Sequence, residues 1–397
     1  MTTQILHPLG INSQAVNFQA LPPLSLYIHI PWCVRKCPYC DFNSHEARNG
    51  LPEEDYVAAL TRDLEQSLPL VWGRRVYSVF IGGGTPSLFS ARAIERILST
   101  VRMLLPLDVN AEITLEANPG TVESAKFAGF REAGVNRLSL GIQSFNETHL
   151  KALGRIHNAA EARRAIEIAQ QHFDNINLDL MYALPQQTLA EAEQDVRSAL
   201  SYAPQHLSCY HLTLEPNTLF YRYPPALPDD DASGEMQQHI EQLLAAHGYK
   251  HYETSAFALP GKQSRHNLNY WKFGDYLGIG AGAHSKLSFH EKVLRQARYK
   301  QPQAYMEQVQ QGVPVQTEQA LTRDDLCFEF MMNALRLNEG FDANLFSERT
   351  SLPLLLMRNE LDQAEQRGLL LRDQQRIAPT EQGRIFLNDL LQIFLRD

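Results

Sequence analysis

Three of the five cysteines fall within eight residues, Cys33, Cys37 and Cys40, while Cys209 and Cys327 lie far off. An odd count with three packed together does not look like a disulfide framework. In a reducing compartment such a cluster more often binds metal or does redox chemistry. Thiolates are the ordinary ligands of iron–sulfur clusters. Three of them on a four-iron cluster leave one iron without a protein ligand, open to chelate the amino and carboxylate groups of S-adenosylmethionine. Structural zinc is the competing reading, because zinc takes four ligands and His29 or His45 can supply the fourth.

Something must hold that loop. Six apolar-rich runs read as strands: Leu24–Ile30, Val76–Ile81, Glu112–Asn118, Arg137–Gln143, Asn175–Met181 and His206–Leu214. Helical stretches separate them, one opened by the capping box Asn158…Glu161 and another starting near Thr188. Strand–helix alternation implies parallel strands joined by right-handed crossovers. Six units are fewer than the eight of a closed barrel, so the fold class is α/β, an open, partial (β/α)6 barrel. The cysteine loop follows the first strand at its C-terminal end, the edge where such folds place their chemistry.

The strands carry a second pattern. In the third, Ile113, Leu115 and Ala117 share one face, and Glu112, Thr114, Glu116 and Asn118 the other. In the fourth, Leu138, Leu140 and Ile142 oppose Ser139, Gly141 and Gln143; in the fifth, Leu178 and Leu180 oppose Asn177, Asp179 and Met181. The apolar face should meet the helices. Burying unpaired carboxylates is costly, so the polar face should line a wet or ligand-filled lumen; the alternative is a one-sided sheet with that face in solvent. Glu116, Gln143 and Asp179 then face the lumen, with Cys209 placed on the face of His211.

The remaining chain divides by composition. Residues 1–21 read as a poorly ordered extension, 22–217 as the barrel core, 218–300 as an extension of it and 301–320 as a linker. Residues 321–397 read as a small, mainly helical, winged-helix-like domain. That last unit carries nine basic and thirteen acidic residues, which argues for a scaffold or docking role over DNA binding. Across all 397 residues the net charge is −9, and nucleic acid is excluded as a general partner. No targeting signal and no apolar run of ~20 residues is visible, so a cytoplasmic protein is expected, with peripheral membrane contact left open.

Tyr27-Ile28-His29-Ile30-Pro31-Trp32-Cys33 with Cys37-Pro38-Tyr39-Cys40 resembles the signature of the coproporphyrinogen oxidase-like branch of the radical S-adenosylmethionine (radical SAM) proteins. The match continues through Gly82-Gly83-Gly84-Thr85-Pro86, Glu116-Ala117-Asn118-Pro119-Gly120, Gly141-Ile142-Gln143-Ser144-Phe145, Gly154-Arg155-Ile156-His157 and Asp179-Leu180-Met181, from about Leu24 to the C-terminus. The resemblance implies a [4Fe–4S] cluster on Cys33, Cys37 and Cys40. Bound S-adenosylmethionine would be cleaved there to methionine and a 5′-deoxyadenosyl radical. It also implies S-adenosylmethionine contacts from Tyr27, Tyr39, Gly83, Gly84, Thr85, Pro86, Glu116, Gln143, Arg155 and Asp179. In that set the glycines admit close backbone approach, and the Arg155 fork suits the methionine carboxylate.

Two activities compete within this family: an oxygen-independent coproporphyrinogen III oxidase, and a haem chaperone that passes haem to apo-haemoproteins. The oxidase carries a fourth cysteine two residues after the third, where this chain has Phe42, and a longer region before its cluster. His266-Asn267-Leu268-Asn269-Tyr270-Trp271 resembles a haem-binding motif of the chaperones. An imidazole from His266 is a natural axial ligand for haem iron, Tyr270 and Trp271 can pack on the porphyrin, and Asn267 can orient a propionate. On the residues alone, a structural turn with two buried aromatics and a hydrogen-bonded histidine stands beside that reading; the resemblance favours haem. It implies apo-haemoprotein acceptors and a haem donor protein as partners, and it allows a homodimer. A pure interaction protein with a relic cluster is the reading from another class.

Overall fold

Alternate apolar residues in each of the six runs lie on one side of a sheet, and in the computed structural model every run is a strand. The structure describes residues 16–48, 50–121 and 124–396. The strands are β1 (Leu24–Ile30), β2 (Val76–Gly83), β3 (Leu107–Ala117), β4 (Arg137–Gln143), β5 (Ile176–Tyr182) and β6 (His206–His211). They pair in parallel in sequence order. The crossover helices are α1 (Glu53–Val71), α2 (Ala91–Leu104), α3 (Ser124–Ala133), α4 (Ala159–His172) and α5 (Leu189–Leu200). Ser90 caps α2, and both Asn158 and Thr188 close full capping boxes at the starts of α4 and α5.

Leu26, Ile28, Val79, Ile81, Leu115 and Leu140 are buried with Ile94, Leu98 and Val101 of α2 in one core. Each such side chain contributes about 1.5–3 kcal/mol on burial. The sheet does not stop at six strands. After α6 (Asp230–Ala246), the antiparallel pair β7 (Lys250–Glu253) and β8 (Ala256–Ala258) extends the β6 edge. A short helix, α7 (Arg265–Trp271), precedes β9 (Asp275–Ile279), which pairs in parallel with β1. Strands β10 (His284–Ser288), β11 (Val293–Arg298) and β12 (Val315–Ala320) complete twelve strands in the order β12-β11-β10-β9-β1-β2-β3-β4-β5-β6-β8-β7.

Residues 301–320 are therefore no linker: they hold α8 (Pro302–Gln310) and the edge strand β12. Their low hydrophobicity reflects an edge with little to bury. Tyr305 and Val309 of α8 nonetheless pack into the main core, and polar contacts to α1 in and beside the segment add to that anchoring. Arg298 and Asp63 form an ion pair at 3.1 Å with both side chains fully buried, and Tyr305 donates to Asp63 Oδ2 at 2.9 Å. The expected N-terminal extension lies, for residues 1–15, outside the described residues. Val16 and Phe18, by contrast, are buried against the C-terminal core, so that part of it is packed.

The C-terminal unit opens with α9 (Arg323–Ala334). It includes a small antiparallel sheet of β13 (Phe341–Asp342), β14 (Leu370–Arg372) and β15 (Arg376–Pro379). Phe330, Phe341, Phe346 and Ile377 form its core, which Val293 of the large sheet and Phe273, in the turn before β9, join.

Candidate functional site

The loop after β1 is held as a clip. Trp32–Cys33 pairs with His45–Glu46, so the residues between them form a closed excursion over the C-terminal ends of the strands. Cys33, Cys37 and Cys40 are free thiols, half-buried, and all three line one cavity of about 440 Å³. Burial pushes the Cys33 and Cys40 thiols above their ordinary value, so they become thiolates readily only beside a bound cation. His29 has no nitrogen to give zinc: Nδ1 meets the Tyr27 hydroxyl at 2.9 Å and Nε2 the Asn43 carbonyl at 2.8 Å. Among the described residues no three His, Cys, Asp or Glu side chains are arranged to hold one metal ion. A four-iron cube asks for a different arrangement, with each thiolate on its own corner, and three separate thiols facing one cavity fit it.

The cavity continues down the polar face of the sheet, along Glu116, Ser139, Gly141, Asn177, Asp179 and Ser208. The alternation in the sequence predicts that face, and the structure encloses it. Cys209 is a packed core residue and no ligand of the cavity; what differs from expectation is its face, since Ser208 and Tyr210 line the cavity while Cys209 lies opposite them. His211, at the end of that strand, turns to the cavity mouth and so breaks the alternation that would put it on the side of Cys209.

Gly83, with φ +117°, donates its N–H to Glu116 Oε2 at 3.0 Å. A Cβ on Gly84 would meet the Trp32 carbonyl oxygen at 2.5 Å, and one on Gly83 the His29 ring at 2.6 Å. The glycines are thus demanded by the close passage of β2 against β1 and the start of the cysteine loop, and both also line the cavity. Withdrawal from water, with the nearby Asp179 carboxylate second, pushes Glu116 up to about 8. Burial also raises Asp179, opposed by hydrogen bonds from Ser139 Oγ at 2.9 Å and Asn177 Nδ2 at 2.8 Å. Gln143 sits at φ +67° where β4 ends, a backbone strain that turns its side chain into the cavity.

Arg155 Nη1 lies 3.6 Å from Cys37 Sγ, and Nη2 donates to the Gly141 carbonyl at 2.8 Å. This places a fixed positive charge beside the cysteine loop, with Tyr39 next to it on the cavity wall. Thr85 lines the cavity as well. Two other expected contacts do not: Tyr27 stacks under Phe80 with ring centroids 6.2 Å apart, and Pro86 is buried at the start of a 3-10 turn.

The His266–Trp271 segment is helix α7, packed across the far end of the lumen. Glu112 accepts from the backbone N–H groups of Arg265 and His266 at 3.2 and 3.1 Å, capping the helix start. His266 is 1% exposed. Its Nδ1 lies 2.9 Å from Ser78 Oγ and its Nε2 3.0 Å from the Tyr270 hydroxyl. Burial lowers its imidazole to about 3, so it is neutral, as an iron ligand must be, but neither nitrogen is open to iron in this conformation. The hydrogen-bonded arrangement is the one seen here, and one of these contacts has to open before His266 can ligate iron. Asn267 does reach the cavity, Tyr270 packs edge-on to Tyr276, and Trp271 lies under Arg336 at 4.3 Å, tying α7 to the C-terminal unit.

Sequence reasoning passed over Arg137, Ser208 and Tyr210, all on the cavity wall. Parity marks Arg137, since it shares a strand face with Ser139 and Gly141. Leu212, Thr213 and Glu215 follow the last barrel strand, where no alternation reports direction.

Residues 27–199 match the Radical SAM superfamily, and residues 321–386 the HemN C-terminal domain. "Heme chaperone HemW" of Escherichia coli (strain K12) is 50% identical over 379 residues, spanning 95% of this chain and 99% of that protein. The protein of the same name from Bacillus subtilis (strain 168) is 33% identical over 379 residues, spanning 94% and 99%. Among solved structures, coproporphyrinogen III oxidase (HemN) from Escherichia coli, described as a radical SAM enzyme, superposes with a TM-score of 0.80 at 25% identity, covering 94% of this chain and 90% of that one. An end-to-end match at half identity, with the superfamily's cysteine loop intact, means that the chain belongs to the HemW family of the radical SAM superfamily.

Proposed function

We propose that the protein is a haem chaperone: it binds haem and transfers it to apo-haemoproteins, carrying a [4Fe–4S] cluster and S-adenosylmethionine. The observation that carries the reading is the 50% identity over 99% of a relative named for that function, against 25% to the oxidase structure. Phe42 supports it. It is 59% exposed on the cavity rim, where a fourth sulfur would stand in the oxidase pattern.

In this reading Cys33, Cys37 and Cys40 hold the cluster, and S-adenosylmethionine bound to its open iron supplies one-electron chemistry. The protein's own part is to bind and orient. The Arg155 guanidinium, fixed by Gly141, offsets the negative charge of thiolates and of a methionine carboxylate. Glu116 and Asp179 offer acceptors for ribose hydroxyls or an ammonium group, with Gln143, Thr85 and Tyr39 completing the wall. Haem held through His266 requires α7 to give up the Tyr270 or the Ser78 contact first. A donor protein, a homodimer, peripheral membrane contact and a cytoplasmic location belong to the same proposal. Among the described residues no helix is long and apolar enough to cross a membrane.

The test is a haem titration of the anaerobically reconstituted protein, followed at the Soret band, then mixing with an apo-haemoprotein. Saturable binding and transfer are expected, with no decarboxylation of coproporphyrinogen III. Weak, non-saturating binding together with decarboxylation would reverse the assignment in favour of the oxidase.

A further inference from the structure

One charged group on the cavity wall has no task in the reading above. Arg137 opens β4, lines the cavity, and is 2% exposed. Its Nε has no hydrogen-bond partner among the described residues. A buried donor left unmade costs about 1–3 kcal/mol, and more on a charged group. Directly beside it in the sheet register is Thr114 of β3, fully buried, with an Oγ1 that likewise lacks a partner among the described residues. Both belong to the polar faces of their strands.

Two adjacent donors without an acceptor describe the half-site for a planar oxyanion, which a guanidinium fork matches best. Glu116 and Asp179 lie within electrostatic range of the guanidinium, but neither forms a hydrogen bond or close ion pair with it among the described residues. Asp179 is taken by Ser139 and Asn177, and Glu116 accepts from Gly83. The site is separate from the cysteine end. Gly141, which anchors Arg155, lies four residues further along β4, about 13 Å at the rise of a strand. A carboxylate chelated at the cluster therefore does not reach Arg137.

We propose that Arg137 and Thr114 form a carboxylate subsite deep in the lumen that takes a propionate of haem. The proposal rests on the haem reading above. It makes recognition of the ligand depend on its acid group as well as on its ring and iron.

The experiment uses the full-length, cluster-loaded protein and two probes, haem and haem dimethyl ester, in which both propionates are methylated. The wild type is expected to bind the diacid about tenfold more tightly, the worth of one charge-assisted bond. Arg137→Met should reduce that preference to within about twofold and Thr114→Val weaken it about threefold, while Arg137→Lys restores part of it. Affinity for S-adenosylmethionine, measured separately by equilibrium dialysis, should be unchanged in all three. An acid preference that survives Arg137→Met, or equal loss of diacid and diester, overturns the proposal. So does a loss that falls on S-adenosylmethionine, since the carboxylate would then be that of methionine. Should Arg137→Met not fold, the lysine and valine variants carry the same comparison. A wild type that binds haem without preferring the acid sinks only the subsite, whereas one that fails to bind haem at all sinks the chaperone reading with it.

Discussion

The Tyr270 hydroxyl sits 3.0 Å from Nε2 of His266 and occupies the nitrogen that a haem iron would need. The two residues are four apart on one helix, so the contact is built into the local geometry of α7. If His266 ligates haem, this bond must break first. Tyr270→Phe removes a bond worth about 1 kcal/mol and should tighten haem binding roughly fivefold. His266→Ala should lose the imidazole-ligated Soret signature. Titrations of both variants beside the wild type decide the matter: equal spectra and affinities in all three would leave His266 a purely structural residue.

Glu116 gives a pH dependence with a definite sign. Its folded value of about 8 stands above the ordinary 4.5. The folded state therefore holds a proton that the unfolded state has released, and stability falls as pH rises from about 4.5 through 8. Glu116→Gln, which mimics the protonated form, should raise the melting temperature of the S-adenosylmethionine-free protein at pH 8.5 and have little effect at pH 5. A gain of the same size at both values would show that the carboxyl is not perturbed.

The cysteines divide by environment. Cys33, Cys37 and Cys40 face the cavity, while Cys209 and Cys327 are buried in apolar cores. Serine at any of the first three should cut reconstituted iron content several-fold and leave the fold intact, because they are half-buried on a loop. Serine at Cys209 or Cys327 should preserve iron content and instead lower the melting temperature, a cost of about 1–3 kcal/mol for an unpartnered buried hydroxyl. Iron and sulfide analysis with thermal unfolding separates the two classes.

Asp63 and Arg298 join α1 to the far edge of the sheet across 235 residues of sequence. Both are buried, and Asp63 also takes the Tyr305 hydroxyl and the Gly280 N–H. Removing one partner strands a buried charge, so Asp63→Ala should cost about 3–5 kcal/mol. The double change Asp63→Ala with Arg298→Met should cost less than the sum of the two singles. Denaturant unfolding of the three variants measures this; additive costs would show that the pair does not act as a unit.

The residues of this chain determine by themselves whatever depends on local spacing. Three cysteines at x3 and x2 mark a metal-binding loop, and strict alternation in β3, β4 and β5 marks which side chains enter the lumen, because successive side chains of a strand must point to opposite faces. Capping at Asn158 and Thr188 starts two helices within a single turn, so it too is readable in place. What only the tertiary structure decides depends on partners distant in sequence. Strand β9 pairs with β1 some 250 residues away, and neither segment alone announces the other. The packed edge over residues 290–320 follows from Asp63, and the closure of His266 from Ser78. The unsatisfied donors of Arg137 and Thr114 follow from two strands meeting in one register. Spacing names a donor, but whether it has an acceptor is settled only when the chain has folded around it.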